Sequence, residues 1–543
     1  MRLLDLMHAC LNVDEIIRLI AYELVASEAK AAAVSFACYC KSFEDPVLDT
    51  LWETQNRLLP LLKSLPEDVW NGGECTVSAQ TTCIFSILNC LISKFFKRSP
   101  TTEEWARFRK YAQKMRKIEE HDDLGVLSSE VFSVLRLRVI NGPMFPNLKT
   151  LKLEGTSGKS IPFIPLFLSP RTTTTHITFI YNDLPNAMVV FMVNTFQALC
   201  PKLQRISLRL LPIDPTIAAA VSRMLLSCNR NALRFVNVDS PLTEEAREVV
   251  YNLPDLRELS VFIERDGPSP PVVLPNLIKL FITYGGHNHG GDWLRILRGA
   301  TFGKLKIVGF DHRSEQIGDF LEAFERVALG TPIQNTLSEF YLHTSCSWNP
   351  NYSSLLPFTH LKHLVVYFVC DNGCSSRVDD DIITNLARAM PKLKTLYLGG
   401  DPCYEIPIGV TVKGLTILAH HCPDLATLRI HFQVASLSAP PSMDEMVSGW
   451  PTDPREDCAL EELDVGDIYL REESVLAVAL TLVRIFPRLH HIESIDDENW
   501  QKVMDALRLS GEIVGCSGEE HPLSALRSHF NDIPPANALE NGG

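Results

Sequence analysis

Asp381-Ile382-Ile383-Thr384-Asn385-Leu386-Ala387-Arg388-Ala389-Met390-Pro391-Lys392-Leu393-Lys394-Thr395-Leu396-Tyr397-Leu398 holds one complete structural unit. As far as Met390 the apolar residues recur at steps of three and four, the stripe that one buried face of a helix requires. Pro391 cannot extend that helix and biases the residue before it toward extended geometry. Beyond the proline stands a short frame: leucine, two residues, an apolar residue, one residue, another apolar residue, here Leu393, Leu396 and Leu398. The order is helix, proline turn, strand.

The frame returns along the chain as Leu148/Leu151/Leu153, Leu203/Ile206/Leu208, Leu256/Leu259/Val261, Leu277/Leu280/Ile282, Leu361/Leu364/Val366, Leu425/Leu428/Ile430 and Leu460/Leu463/Val465. Looser copies start at Leu233, Leu305, Leu337 and Leu489, and a poorer one at Thr174/Ile177/Phe179 fills the long gap after Leu148. Pro146, Pro201, Pro254, Pro423 and Pro487 each stand two residues before a frame, and Val412 to Cys422 repeats the helical stripe. A unit of this kind cannot close its own core, so its strand must be buried against the next copy. The chain is therefore expected to grow into a curved stack with a long exposed face.

Residues 140 to 510 resemble the leucine-rich repeat family. The expected fold class is α/β, a leucine-rich-repeat solenoid of parallel strands with outer helices over 142–511. The family's asparagine or cysteine at the ninth position is replaced by Thr156, Leu211, Glu264, Gly285, Val369, Asp401 and Gln433. Without that internal ladder the solenoid is expected to be irregular. An ordinary doubly wound α/β domain is the alternative.

The first 55 residues carry a second signal. Val13, Ile16, Ile17, Ile20 and Leu24 form a helical stripe, an alanine-rich helix runs from Glu28 to Cys40, and Lys41-Ser42-Phe43-Glu44-Asp45-Pro46-Val47-Leu48-Asp49-Thr50-Leu51-Trp52 follows. This order resembles an F-box, in the form found in F-box-like proteins of mushroom-forming fungi. The usual Leu-Pro opening is Val13-Asp14 here, and the usual tryptophan after the cysteine is Phe43. The resemblance implies a small all-α domain over 1–65 that docks on a Skp-type linker subunit, which in turn binds a cullin scaffold. It makes Val13, Ile16, Ile17, Ile20, Cys40, Phe43 and Trp52 the candidates for that face, with a purely structural core as the alternative for each. A bundle this short has little core of its own and needs cover from the solenoid or a partner.

The region 66–141 reads as a helical linker and cap. Thr101-Thr102-Glu103-Glu104 is a helix start, followed by Trp105, Phe108, Ala112, Met115 and Ile118 at helical steps. Arg107, Arg109, Lys110, Lys114, Arg116 and Lys117 make it the most basic stretch, and these charges are expected to be solvated. Residues 512–543 are expected to form a mostly disordered tail with a short helix near Leu523 to Phe530.

Across 543 residues the apolar content is 46% and the aromatic content 8%, and 51 basic against 65 acidic residues give a formal charge of -14. An average field of that sign repels the nucleic-acid backbone, so nucleic acid is disfavoured as the main partner. Fifteen cysteines follow no disulfide framework, and Cys83, Cys90, Cys200 and Cys422 occupy apolar positions, which suits a cytoplasmic or nuclear protein. No secretion signal is read in Met1 to Leu11, and the longest apolar run, Cys83 to Phe96, is too short to span a bilayer.

Neither a Gly-x-Ser-x-Gly elbow, a Gly-x-x-x-x-Gly-Lys-Ser/Thr loop nor a His-Glu-x-x-His motif occurs. Gly285-Gly286-His287-Asn288-His289-Gly290-Gly291 lacks a second ligand pair and reads as a loop. The expectation is a non-enzymatic protein with no cofactor and no metal. In the strand frame the third, fifth and seventh positions point away from the core. They include Phe235, Phe262, Phe281, Tyr341, His343, His363, Tyr367, Tyr397, Arg429 and His431, an aromatic strip of the kind that dominates binding hot spots. A substrate-recognition adaptor of a cullin-RING ubiquitin ligase, holding a protein substrate on that strip, is the expected function. An interaction scaffold without a ligase is the alternative.

Overall fold

A computed structural model describes residues 13–27, 29–71, 95–121, 129–138, 142–156, 158–179, 186–210, 214–263, 273–284, 302–312, 320–345, 350–369, 378–400, 409–434, 458–466, 468–494 and 498–516. They are α/β in organisation and fall into two units, Met1–Phe262 and Ile263–Gly543.

The first unit opens with helices α1 (Asp14–Ala26), α2 (Lys30–Tyr39) and α3 (Lys41–Glu53), then strand β1 (Thr54–Gln55) and the single turn α4 (Leu59–Leu62). Strands β2 (Trp70–Asn71) and β3 (Phe95–Phe96) pair antiparallel. Next come α5 (Thr102–Ala112), β4 (Lys117–His121), α6 (Ser129–Arg138), β5 (Thr150–Thr156), β6 (Thr174–Phe179) and α7 (Asn186–Leu199). The unit continues through β7 (Arg205–Arg209), α8 (Pro215–Ser227), β8 (Phe235–Pro241), α9 (Glu244–Val250) and β9 (Glu258–Ile263). Its parallel sheet runs β1-β4-β5-β6-β7-β8-β9, each strand beside the next in chain order except where the antiparallel pair intervenes.

The second unit repeats the scheme with β10 (Lys279–Tyr284), β11 (Ile307–His312), α10 (Phe320–Ala328), α11 (Pro332–Thr336), β12 (Glu339–Ser345) and β13 (His363–Val369). It continues with α12 (Asp380–Ala389), β14 (Thr395–Gly400), α13 (Val412–His421), β15 (Thr427–Ile430), β16 (Glu462–Gly466), α14 (Val475–Ile485), β17 (His491–Ser494) and α15 (Glu498–Cys516). Strands β10 to β17 are parallel and ordered as in the chain.

Every copy of the leucine frame leads into a strand, and its first, fourth and sixth residues are buried wherever they are apolar. Register is fixed just before each strand, where one carbonyl accepts two amides of the next copy. Lys306 takes Ser338 and Glu339, Lys362 takes Lys394 and Thr395, and Lys394 takes Ala426 and Thr427. The ladder is irregular, with shifts at Leu153/Thr156, Val238/Pro241 and Asp464/Gly466. Cys200 and Cys422 are buried where helices end, and burial pushes both thiols up to about 12, so they pack as small apolar groups.

Helix starts are capped from the sequence nearby or from the neighbouring copy. In α5 the Thr101 hydroxyl accepts from the Glu104 amide at 3.3 Å while Glu104 accepts from the Thr101 amide at 2.6 Å, a closed capping box. In α13 the third helical residue is Gly414, which has no carboxylate to return. Asp380, at the start of α12, supplies it instead, accepting from the Thr411 amide at 2.8 Å, the Thr411 hydroxyl at 2.6 Å and the Gly414 amide at 3.1 Å.

Residues 66–141 are not wholly helical. The helix that starts at Thr102 stops at Ala112, and Ile118 lies in β4, a strand of the parallel sheet, rather than on a continued helical stripe. Strand geometry wins there because β4 has ladder partners on both sides, β1 and β5. Helix α15 runs on to Cys516, so residues 512–516 of the expected disordered tail continue a helix; the rest of that tail and the short helix near Leu523 lie outside the described residues. The loop from Gly285 to Gly291, Cys83 and Cys90 also lie outside them.

Candidate functional site

Two surfaces present the residues that the sequence singles out. The first is the helical cap. Its core is small: Ile17, Ala21, Ala33, Ala37, Phe43 and Val47, with Leu24, Val25, Phe36 and Leu51 partly buried against it. Of the candidate docking residues, Ile17 and Phe43 therefore build the core, Ile16 and Ile20 are half-buried beside it, and Val13 and Cys40 are exposed. Trp52 is half-buried and stacks on Tyr111 of α5 with ring centroids 4.8 Å apart. Leu19, Tyr22, Val34 and Tyr39, which the stripe reading did not select, stand exposed on α1 and α2, Tyr39 at 86%.

The basic stretch expected to be solvated is in large part paired, and its partners are the acids of α3. Lys114 bonds Asp49 and lies 3.5 Å from Asp45, Lys110 reaches Glu44 and Asp45 at 3.9 Å, and Arg116 meets Glu53 at 3.5 Å. Asp45, Asp49 and Glu53 recur every fourth residue, so one face of α3 meets Lys110 on α5 and Lys114 and Arg116 just beyond its end. Arg18 of α1 joins at 2.7 Å from Asp49. Burial works against ionisation of Asp49, yet the hydrogen bonds from Lys114 and Arg18 outweigh it and hold the carboxyl below its usual range. Around these pairs Leu19 and Tyr22 line a cleft of about 690 Å³ with Glu15, Thr50 and Gln113.

The second surface is the outward face of the strands. In the first unit Arg205 lies over the Phe235 ring at 3.7 Å, so this aromatic is covered by its neighbour. Phe262 is buried at 8% exposure rather than presented, because the register shift between Val238 and Pro241 sets it opposite Pro241. These two do not form a strip.

In the second unit the expected residues do come together. Register places Phe281, Gly309, Tyr341, Val365, Tyr397, Arg429 and Asp464 in one row across β10 to β16. Phe281 and Tyr341 approach to 6.1 Å across Gly309, where a Cβ would lie 2.2 Å from Phe281 Cδ1. The adjoining row carries Asp311, His343, Tyr367 and Gly399. His343 Nδ1 is 3.0 Å from Asp311, and its ring is 5.0 Å from Tyr367, which is 5.9 Å from Tyr397. Arg429 closes the line, its guanidinium 4.6 Å from the Tyr397 ring centroid and 2.9 Å from Asp464. His363 bonds Thr395 at 3.0 Å, and His431 faces Gly399 and Gly466.

Tyr341 donates to Glu339 at 2.9 Å. Burial, then the bond to Glu339 and its charge, push the phenol up to about 12, so it remains a neutral donor. The sequence reading named the rings but not Gly309, Asp311, Glu339 or Asp464. Their signal was available: each stands at an outward position of its frame.

Among the described residues no three His, Cys, Asp or Glu side chains gather where they could hold a metal ion. No helix among them is long and apolar enough to cross a membrane. Compared with protein-family models and with curated proteins, the sequence finds no match in either.

Proposed function

We propose that the chain is a substrate-recognition adaptor of an SCF-type cullin-RING ubiquitin ligase, in which the helical cap docks on a Skp-type linker subunit and the strand face holds a protein substrate. The adaptor itself performs no chemistry; it raises the effective concentration of a bound protein near the transfer machinery. The observation that carries the reading is the apolar surface that the cap leaves uncovered. Three alanines stand beside Ile17, Phe43 and Val47 in its core, while Leu19, Tyr22, Val34 and Tyr39 are left exposed on α1 and α2 and Val13 just before α1. A bundle with a core this small that leaves so many large apolar groups outside is built to be covered.

The test is direct binding of the purified chain to a purified Skp-type linker subunit, wild type against Leu19→Asp with Tyr39→Asp. Both residues are exposed, so the helical content measured by circular dichroism stays unchanged. Binding that the double variant loses supports the adaptor. A wild-type chain that does not bind refutes it and leaves an interaction scaffold.

A further inference from the structure

We infer that the outward face of the second unit takes a cationic peptide segment, whose arginine or lysine side chains settle over Tyr341 and Tyr367 beside Glu339 and Asp311. The inference names the partner class for the substrate face proposed above and rests on that proposal. Its basis is a pairing of rings with carboxylates that the face already displays.

Arg429 shows what the arrangement holds. Its guanidinium lies over Tyr397 at 4.6 Å while Asp464 takes the charge at 2.9 Å, and both charged side chains are 17% exposed. A cation over an aromatic face gains from the ring quadrupole, and the gain grows as water is excluded. The same elements recur one and two strands away. Tyr341 is half-buried with Glu339 hydrogen-bonded to its hydroxyl, and Tyr367 is half-buried beside the His343–Asp311 pair. Neighbouring strands lie about 4.8 Å apart and alternate side chains of an extended segment about 6.6 Å, so rings on β12, β13 and β14 are reached by alternate side chains of one extended segment running obliquely across the sheet.

Charge selects among possible occupants. Along this face Asp311, Glu339, Glu462, Asp464 and Glu493 outnumber Lys279 and Arg429 among the described residues. An acidic segment meets like charge there. A purely apolar segment covers carboxylates without neutralising them, which costs more than the ring contacts return. A basic segment satisfies both features, and arginine, planar and weakly hydrated, satisfies them better than lysine.

The experiment measures fluorescence anisotropy of labelled twelve-residue peptides with the full chain. The probes are arginine–glycine–serine repeats, their lysine and glutamate counterparts, and a neutral proline-rich sequence. The arginine peptide is expected to bind tightest, the lysine peptide more weakly, and the glutamate peptide not at all. Tyr341→Leu and Tyr367→Leu are each expected to weaken arginine-peptide binding about threefold, and Glu339→Gln by a similar factor. Glu473→Gln, on an exposed turn outside the face, leaves it unchanged and so separates site binding from attraction to the acidic chain as a whole.

Arginine-peptide binding that ignores the tyrosine variants overturns the inference. So does preferential binding of the glutamate or proline-rich peptide that Tyr341→Leu abolishes, although that result retains the face as a receptor. Loss of linker-subunit binding is read in a separate assay and bears on the adaptor alone.

Discussion

Replacing Asp380 by alanine tests how one repeat stabilises the next. Asp380 accepts from the amides of Thr411 and Gly414 and from the Thr411 hydroxyl, and so closes the start of α13 from the neighbouring helix. The Thr411 hydroxyl still caps the Lys413 amide at 3.2 Å, but each of the two amides that lose the Asp380 carboxylate costs about 1 kcal/mol. Asp380→Ala is therefore expected to destabilise the second unit by about 2 kcal/mol. Gly414→Glu alone is expected to destabilise as well, because a Cβ at Gly414 lies 2.5 Å from Asp380 Oδ1 and a second carboxylate enters beside the first. Combined, the two changes rebuild at the start of α13 the closed box already seen at Thr101 and Glu104, with a carboxylate on the third helical residue supplying what Asp380 no longer does. The double variant is expected to recover to within about 1 kcal/mol of wild type, since the pair couples strongly. Urea denaturation followed by circular dichroism reads the midpoints, which shift at unchanged slope. Simple addition of the two single effects, or an Asp380→Ala cost below about 0.5 kcal/mol, would refute the reasoning.

Gly309→Ala drives a methyl into the Phe281 ring and is expected to cost about 1 kcal/mol through loss of the Phe281–Tyr341 contact. In a Phe281→Ala background the same change is expected to be neutral or stabilising, a reversal that a pair of thermal melts detects. Asp49→Asn tests the charged seam under the cap. The native carboxyl titrates below its unfolded value, so its contribution is complete above the unfolded pKa of about 4 and disappears as pH falls through the lowered one. Acid unfolding of the Asn variant is expected to lose that part of its pH dependence below about pH 4, measured as the difference between denaturation midpoints at pH 5 and pH 3.

The strand frame was legible because it is set by burial: each Leu-x-x-apolar-x-apolar copy places three side chains in the core, and no long-range partner is needed to see it. Thr174/Ile177/Phe179 could be found for the same reason despite its weak chemistry. β1 and β4 could not. Lys117 to His121 carries only one apolar residue, Ile118, and becomes a strand because β1 and β5 flank it, a fact that spacing within the segment does not contain. The site divides the same way. Outward positions followed from the two-residue period of a strand, which located Tyr341, Tyr367, Tyr397 and Arg429. Whether an outward ring is presented depends on its neighbours: Arg205 covers Phe235, and a register shift buries Phe262.

The charges show the largest gap between pattern and outcome, and they also explain how the cap is held. The basic residues of α5 and of the turn that follows it, and the acidic face of α3, each look like solvated surface when read alone. Together they form one seam, with Trp52 stacked on Tyr111 at its side and β1, continuing directly from α3, paired with β4. Surface ion pairs contribute little individually, but here Lys114 is 14% exposed at the centre of the set, and backbone pairing fixes the same two segments. The cap is thus joined to the first strands of its unit by a ladder, a ring stack and a seam of charge, while α1 and α2 leave Leu19, Tyr22, Val34 and Tyr39 exposed. The adaptor proposed above would need this division, because a docking module that swings freely on its receptor would lose the gain in effective concentration that proximity supplies.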